Sequence, residues 1–397
     1  MKSNYTNLDL LRSLAVLSVV ASHLWRTGID FHIYAENLPV TRMLHNLSGC
    51  GVMFFFVHTC LVLMLSLRRA PAAQRARSFL IRRAFRIYPL CWTAIALVLA
   101  TGWTDRPENN YRLLGWKGIA ANFLLLQNML KQKGECSVLG PLWSLPWEVQ
   151  MYLVLPLFFT VLHRSRRLAT VFWIWLGATL LAVVATQPQF DHWHIHGAIF
   201  PPMFISGMAA FKLLERREEP GRGRTLHFPR WPAWLWPGAI LALFAVSALQ
   251  STDRWSETPY GAVLGACICM ALGLAIPAFS ELRAGWLAAA SHQVARYSYG
   301  IYLLHVPAMV AVFRYTQPLP WVLKAALALA LTALLSWVSF RTIEDPLIRL
   351  GKRLTQPVPP LPSKTVEALG DSPPAKPAIP IHSHAQAPDL EAPAVAD

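Results

Sequence analysis

Ten apolar runs, each close to the length of a membrane crossing, set the fold class of this chain before any single residue is considered. They occupy residues 8–26, 44–67, 85–102, 143–162, 168–186, 196–214, 233–250, 258–279, 297–314 and 321–341. The hydrocarbon core of a bilayer, about 30 Å thick, is crossed by roughly 20 helical residues. The expected fold is therefore all-α, a polytopic transmembrane bundle of about ten spans. Composition agrees, since 54% of residues are hydrophobic and only 14% are charged, against about a quarter charged in a soluble domain. A shorter stretch at 119–130, IAANFLLLQNML, ends in polar residues and reads as a re-entrant or surface helix. The first run has a short polar lead and no small-residue cleavage site, so it reads as retained rather than as a signal peptide.

Orientation follows from lysine and arginine, which are held on the cytoplasmic side. One set of loops is rich in them: Arg68, Arg69, Arg75, Arg77, Arg82, Arg83 and Arg86, then Arg164, Arg166 and Arg167, then Lys212, Arg216, Arg217, Arg222, Arg224 and Arg230. The alternate loops are poor: 187–195 has none, 251–257 has Arg254, and the last outer turn has Arg314. In the long loop 103–142 the basic residues are partly balanced by Asp105, Glu108 and Glu135. Ten spans then put both termini inside, including the basic RLGKRL at 349–354. The net charge of +15 is thus a matter of topology, and no nucleic acid is expected as a partner.

Five of the six cysteines, Cys50, Cys60, Cys91, Cys267 and Cys269, lie in or beside apolar runs, with Cys136 apart. They read as small buried hydrophobes rather than a disulfide framework. Residues 1–350 form the expected membrane domain and 351–397 a cytoplasmic tail. From 355 onward the tail holds ten of the thirty prolines and little that could build a core, so it reads as disordered. No internal repeat of the kind that marks inverted-repeat transporters is evident.

The polar residues inside the runs carry the chemistry. In LDLLRSLAVLSVVASHLW, residues 8–25, Arg12 and His23 stand eleven residues apart. At 100° and 1.5 Å per residue this is roughly 20° past three turns and about 16 Å along the axis. They share a face, with the cation toward the inside, the imidazole toward the outside, and Asp9 about a turn before Arg12. Ionisable groups in a span cost several kcal/mol and usually face a cavity, although residues this close to the ends can also snorkel. In PLWSLPWEVQMYLVLP, residues 141–156, Ser144, Glu148 and Tyr152 share a face near the outer end, where the carboxylate could meet His23. In ARYSYGIYLLHVP, residues 295–307, Ser298, Tyr302 and His305 fall on one face, a spacing that interfacial belt tyrosines can also produce. Arg82, Arg83 and Arg86 in FLIRRAFRIYPLCW read either as a topological anchor or as an anion site, for which clustered guanidinium groups are suited. Glu344 precedes Pro346 in RTIEDPLIRL. The run DHWHIH offers His192, His194 and His196, but cysteine and acidic partners at ligand spacing are missing and no metal is expected.

Taken together, these residues resemble acyltransferase family 3, integral membrane acyltransferases that include bacterial O-antigen and polysaccharide O-acetylases. The ordered matches span residues 8 to about 350: Arg12 and His23 for the family's basic residue, ten others and histidine; Arg83 and Arg86 for Arg-x-x-Arg. Trp143, Ser144, Leu145 and Glu148 then match Trp-Ser-Leu-x-x-Glu, and Ser298, Tyr299, Tyr302, Leu303 and His305 match Ser-Tyr-x-x-Tyr-Leu-x-His. The second span departs, carrying His58, Thr59 and Cys60 where the family usually has Leu-Ser-Gly. The resemblance implies transfer of an acyl group from a cytoplasmic acyl-CoA, with acetyl-CoA the expected donor, to a hydroxyl of a saccharide, lipid-linked saccharide or other cell-envelope acceptor. It implies Arg12, Arg83 and Arg86 as holders of the donor phosphates. His23 would be the general base, or an acyl carrier, with Glu148 orienting it. Asp9, Trp143, Ser144, Tyr152, Ser298, Tyr302, His305 and Glu344 are expected as substrate-facing or structural polar groups. The expected location is a bacterial cytoplasmic membrane. The competing class is a carrier of a small anionic or sugar substrate, in which Arg12, His23 and Glu148 would bind or relay rather than catalyse; a structural scaffold is a third.

Overall fold

The fold is described from a computed structural model covering residues 5–36, 38–71, 74–105, 115–130, 137–165, 167–187, 196–218, 230–249 and 258–356. Helices dominate, and among the described residues the only β pairing is an isolated bridge between Trp231 and Phe279. In chain order the helices are α1 (Thr6–Asp30), α2 (Pro39–Arg69), α3 (Arg75–Thr101), α4 (Gly115–Leu124), α5 (Leu145–Arg164), α6 (Leu168–Ala185) and α7 (Pro201–Glu218). They continue as α8 (Trp236–Ala248), α9 (Pro259–Ala275), α10 (Trp286–Tyr315), α11 (Trp321–Ser339) and, after a five-residue π-helical turn at Phe340–Glu344, α12 (Asp345–Arg353).

Each of the ten apolar runs is helical, and seven helical segments are long and apolar enough to cross a membrane: Thr6–Asp30, Pro39–Arg69, Arg75–Thr101, Gly140–Arg164, Leu168–Ala185, Pro259–Ala278 and Trp321–Arg353. The other three fall short for separate reasons. The segment Ala233–Ala248 is short, α7 closes on the charged KLLERRE, and α10 carries His292, Arg296, Ser298 and His305 along its length. The 119–130 stretch forms α4 followed by a 3-10 turn at Gln127–Met129.

Helix ends follow local chemistry. Proline stands in the first turn of α2, α5, α8 and α9, where its missing N–H has no helical partner to lose. Thr258 caps α9 by accepting from the Gly261 N–H, and Gly102 closes α3 in the left-handed region at φ 68°.

α1 packs between α2 and α10, α10 packs on α11, and α2 also packs on α7. Lipid offers little hydrophobic drive for helix association, so close backbone approach at small residues matters. At Gly51 an added Cβ would stand 2.7 Å from the Ala15 carbonyl oxygen of α1, and at Gly207 one would stand 2.4 Å from that of Val57. α1 and α10 run parallel, joined by Asp9 with His292, Arg12 with Ser298 and His23 with His305. The core of the helical bundle is apolar and includes the fully buried Phe54, Phe159, Phe204, Phe211 and Trp236. Large apolar side chains such as Leu153, Leu157, Trp173 and Leu180 point outward, as lipid-facing positions do.

Four of the five described cysteines are buried, whereas Cys267 is exposed on α9; its side chain falls on the outward face of the helix. Cys136, Glu108, Glu135, Arg166, Arg222, Arg224, Arg254, His192, His194 and the tail from 357 onward lie outside the described residues.

Candidate active site

α1 supplies the two residues from which the site is built. The Arg12 Nε donates to the Ser298 hydroxyl of α10 at 2.6 Å. Eleven residues along, His23 Nδ1 lies 3.0 Å from the Val19 carbonyl oxygen and 3.1 Å from His305 Nε2. The two rings are 4.9 Å apart and tilted by 60°. His305 is fully buried and its Nδ1 faces the Ile301 carbonyl oxygen at 2.9 Å.

These contacts fix the tautomers. A carbonyl oxygen only accepts, so the His305 nitrogen facing Ile301 carries the proton, and the Nε2 of that neutral ring is an acceptor. Its neighbour, His23 Nδ1, must then carry a proton, shared between His305 Nε2 and the Val19 carbonyl. The lone pair of His23 is left on Nε2, the nitrogen that a general base would use.

One turn before His305 on α10, the Tyr302 hydroxyl donates to the Pro141 carbonyl at 2.9 Å and lies 2.7 Å from the Ser144 hydroxyl. The face expected to carry Ser298, Tyr302 and His305 is thus buried against α1 and the start of α5. Trp143 is half-buried with its ring 5.6 Å from Phe200, and Asp9 bonds His292 at 2.8 Å near the starts of α1 and α10. Neither borders the cavity described next.

Between α1, α2, α3, α5 and α10 lies a cavity of about 70 Å³, room for several water molecules. Its polar wall includes Arg12, Arg83, Arg86, Glu148, Tyr152, His58 and Thr59, together with Ser144, Ser298, Tyr299 and Tyr302; the apolar wall is formed by α2, Ile87 and Leu145. Tyr152 donates its hydroxyl to Glu148 Oε1, and Arg83 stacks its guanidinium over Phe79 at 5.8 Å. Arg83 Nε and Glu344 Oε1 are buried without a hydrogen-bond partner. Glu344 is 3% exposed, turned inward at the end of the π-turn, within electrostatic reach of Arg86 and Arg12.

One expectation changes. The carboxylate of Glu148 does not pair with His23: it sits with Tyr152 and within electrostatic reach of Arg12, and the ring partner of His23 is His305. The cause is a 3-10 turn at Gly140–Trp143 whose first three residues are buried. It carries the chain into the bundle before α5 begins, so Glu148 reaches the level of the guanidinium groups instead of the outer end. The arginine group divides. Arg83 and Arg86 line the cavity, while Arg82 turns away and donates to the Thr355 hydroxyl at 2.6 Å, tying the segment after α12 to α3.

Among the described residues, no group of three His, Cys, Asp or Glu side chains is placed to hold a metal ion. His196 opens a 3-10 turn at His196–Ile199. Cavity residues that the sequence reading named without giving them a place in the site are Tyr299, whose hydroxyl donates to the Ile87 carbonyl at 2.6 Å, and His58 with Thr59. For His58 the departure from the resembled pattern was the available signal.

The acyltransferase domain family matches residues 5–341 of the chain. The chain belongs to this family. A peptidoglycan O-acetyltransferase, OatA of Listeria monocytogenes serovar 1/2a, is 28% identical over 383 residues, which cover 87% of this chain and 56% of that protein. The acyltransferase MdmB of Streptomyces mycarofaciens is 24% identical over 383 residues, covering 87% of this chain and 92% of that protein. The chain thus spans little more than half the length of the Listeria relative and nearly all of the Streptomyces one. No solved structure matches. The residues matched to the family's patterns fall in α1, in α3, in the 3-10 turn leading into α5 and its first turn, and in α10.

Proposed function

We propose that the chain is a membrane-embedded O-acyltransferase that moves an acetyl group from acetyl-CoA to a hydroxyl of a saccharide, of the cell-wall type named for the Listeria relative or of a lipid-linked precursor. The observation that carries this is the stacking of two unlike sites along α1: an arginine-lined cavity at the level of Arg12, and a tautomer-fixed histidine pair about 16 Å further along. Arg12, Arg83 and Arg86 bind the anionic donor, bringing its thioester arm up the cavity toward Tyr302 and Ser144. His23 Nε2 takes the proton of the acceptor hydroxyl as its oxygen attacks the thioester carbonyl. The carbon–sulfur bond then breaks, and the departing thiolate takes up the proton, restoring His23. His305 holds His23 in the required tautomer, the role a carboxylate plays in hydrolase triads.

In this reading the ten helical runs all span a bacterial cytoplasmic membrane, both termini lie inside, and residues 351–397 form a cytoplasmic tail. The donor enters from the basic side and the acceptor meets His23 from the other.

The test is CoA release by the purified full-length protein in nanodiscs, supplied with acetyl-CoA and a panel of glycans, beside His23→Ala. Release by the wild type that falls at least a hundredfold in the variant, with donor binding retained, supports the reading. Full release by the variant removes His23 from the chemistry. Absence of release with every acceptor, alongside solute flux in liposomes, makes the chain a carrier.

A further inference from the structure

We propose that His58 is a donor-binding residue, contributing an imidazole N–H to a phosphoryl oxyanion held in the arginine-lined cavity; the identity of that anion rests on the acyl-CoA reading above.

His58 lies on α2, is 3% exposed and lines the cavity, yet its Nδ1 is sealed from water with no hydrogen-bond partner. Two other histidines of the bundle, His23 and His305, show how a ring nitrogen here is ordinarily satisfied. Each spends one nitrogen on the carbonyl four residues earlier, His23 on Val19 and His305 on Ile301. His58 makes no such bond to Phe54. A buried nitrogen left unpaired in this way costs stability and calls for an explanation. An orphaned lone pair is tolerated more readily than an orphaned N–H, so the proton belongs on Nε2. That is the nitrogen able to reach a ligand in the cavity, and it arrives there as a donor.

The surroundings specify the ligand. The charges acting on His58 are those of Arg12 and Arg86. Arg83 brings a third guanidinium to the same wall with its Nε–H unspent. Against three cations stand Glu148, which already accepts from Tyr152, and Glu344. The balance is positive and rich in unspent donors, the chemistry of an oxyanion site.

Depth separates this role from the chemistry. α2 runs antiparallel to α1 and crosses it with Gly51 against Ala15 and Ser18. His58, seven residues further on and about 10 Å deeper, comes level with Arg12 rather than with His23. It can influence how the donor is held, but not the proton transfer.

The experiment compares the full-length wild type, His58→Leu and His58→Gln in nanodiscs. Thermal stabilisation by inorganic pyrophosphate is one readout; KM and kcat for acetyl-CoA and for phosphate-free S-acetylpantetheine are the other. Leucine keeps the bulk of the side chain, and glutamine places an amide N–H near the position of Nε2. The expected result for His58→Leu is loss of pyrophosphate stabilisation and a rise of roughly ten- to a hundredfold in KM for acetyl-CoA. Its kcat should be kept, its use of S-acetylpantetheine unchanged, and glutamine should restore the donor affinity. Pyrophosphate stabilisation that is equal in all three proteins, or an equal loss with the phosphate-free donor, overturns the assignment to phosphate and leaves His58 a packing residue. Stabilisation that depends on His58 in a protein that releases no CoA keeps the anion site and removes the acyltransferase reading instead.

Discussion

At the scale of residues, the decisive contact is a histidine that another histidine holds in place. His305 is buried, its Nδ1 is committed to the Ile301 carbonyl, and its Nε2 is spent on His23. In the proposed mechanism it therefore acts through His23 rather than on substrate. His305→Ala should lower kcat for CoA release by roughly tenfold or more, the worth of one buried hydrogen bond, with KM for acetyl-CoA unchanged. His305→Gln, whose amide oxygen can accept from His23 Nδ1–H, should recover most of the rate. Steady-state kinetics decides it: an unchanged kcat in the alanine variant would reduce the pair to packing. Much of this was readable in sequence, because Arg12 and His23 share a helical face by count alone, and Ser298, Tyr302 and His305 do likewise. The partnership was not readable. Which carboxylate or imidazole meets His23 depends on the depth at which α5 starts, and a 3-10 turn at Gly140–Trp143 shifts that depth without any change in apolar pattern.

At the scale of elements, apolar length located the ten helical runs, since each is a local property of the chain. What it could not locate are features set by neighbours. The π-turn at Phe340–Glu344 turns Glu344 inward, and α10 falls outside the seven long apolar helices because it carries His292, Arg296, Ser298 and His305. The crossing of α2 with α7 is of the same kind. There Gly207 faces the Val57 carbonyl oxygen and the Cβ of Cys60, at 2.4 and 2.8 Å from an added Cβ. Both obstacles belong to a helix that cannot move without disturbing the cavity wall. Gly207→Ala should cost about 1–3 kcal/mol through overpacking, seen as a lowered Tm in detergent. Gly177→Ala on α6, where an added Cβ meets nothing within 4 Å, should leave Tm unreduced. Equal behaviour of the two variants would mean that α7 yields to α2 and the crossing is loose.

At the scale of the whole molecule, the proposed two-site mechanism works only if the arginine-lined cavity opens toward the compartment that holds CoA. The distribution of charge argues for that orientation. The α2–α3 connection is flanked by Arg68, Arg69, Arg75 and Arg77, and α12 ends with Lys352 and Arg353. The α1–α2 connection at 31–38 has no lysine or arginine, and there Arg26 is drawn to Asp30 and Glu36 at 3.0 and 2.8 Å. Basic connections are retained in the cytoplasm, so residues 31–38 should face outward and 352–353 inward. Single cysteines at Glu36 and Lys352, in a chain whose native cysteines are replaced by serine or alanine, can be labelled with a membrane-impermeant maleimide in intact cells. Glu36→Cys should label at once, and Lys352→Cys only after permeabilisation. The reverse pattern would turn the arginines toward a compartment without CoA and His23 toward the cytoplasm. Donor and acceptor would then have to exchange sides, and the assignment of Arg12, Arg83 and Arg86 to the donor phosphates would fall with the orientation.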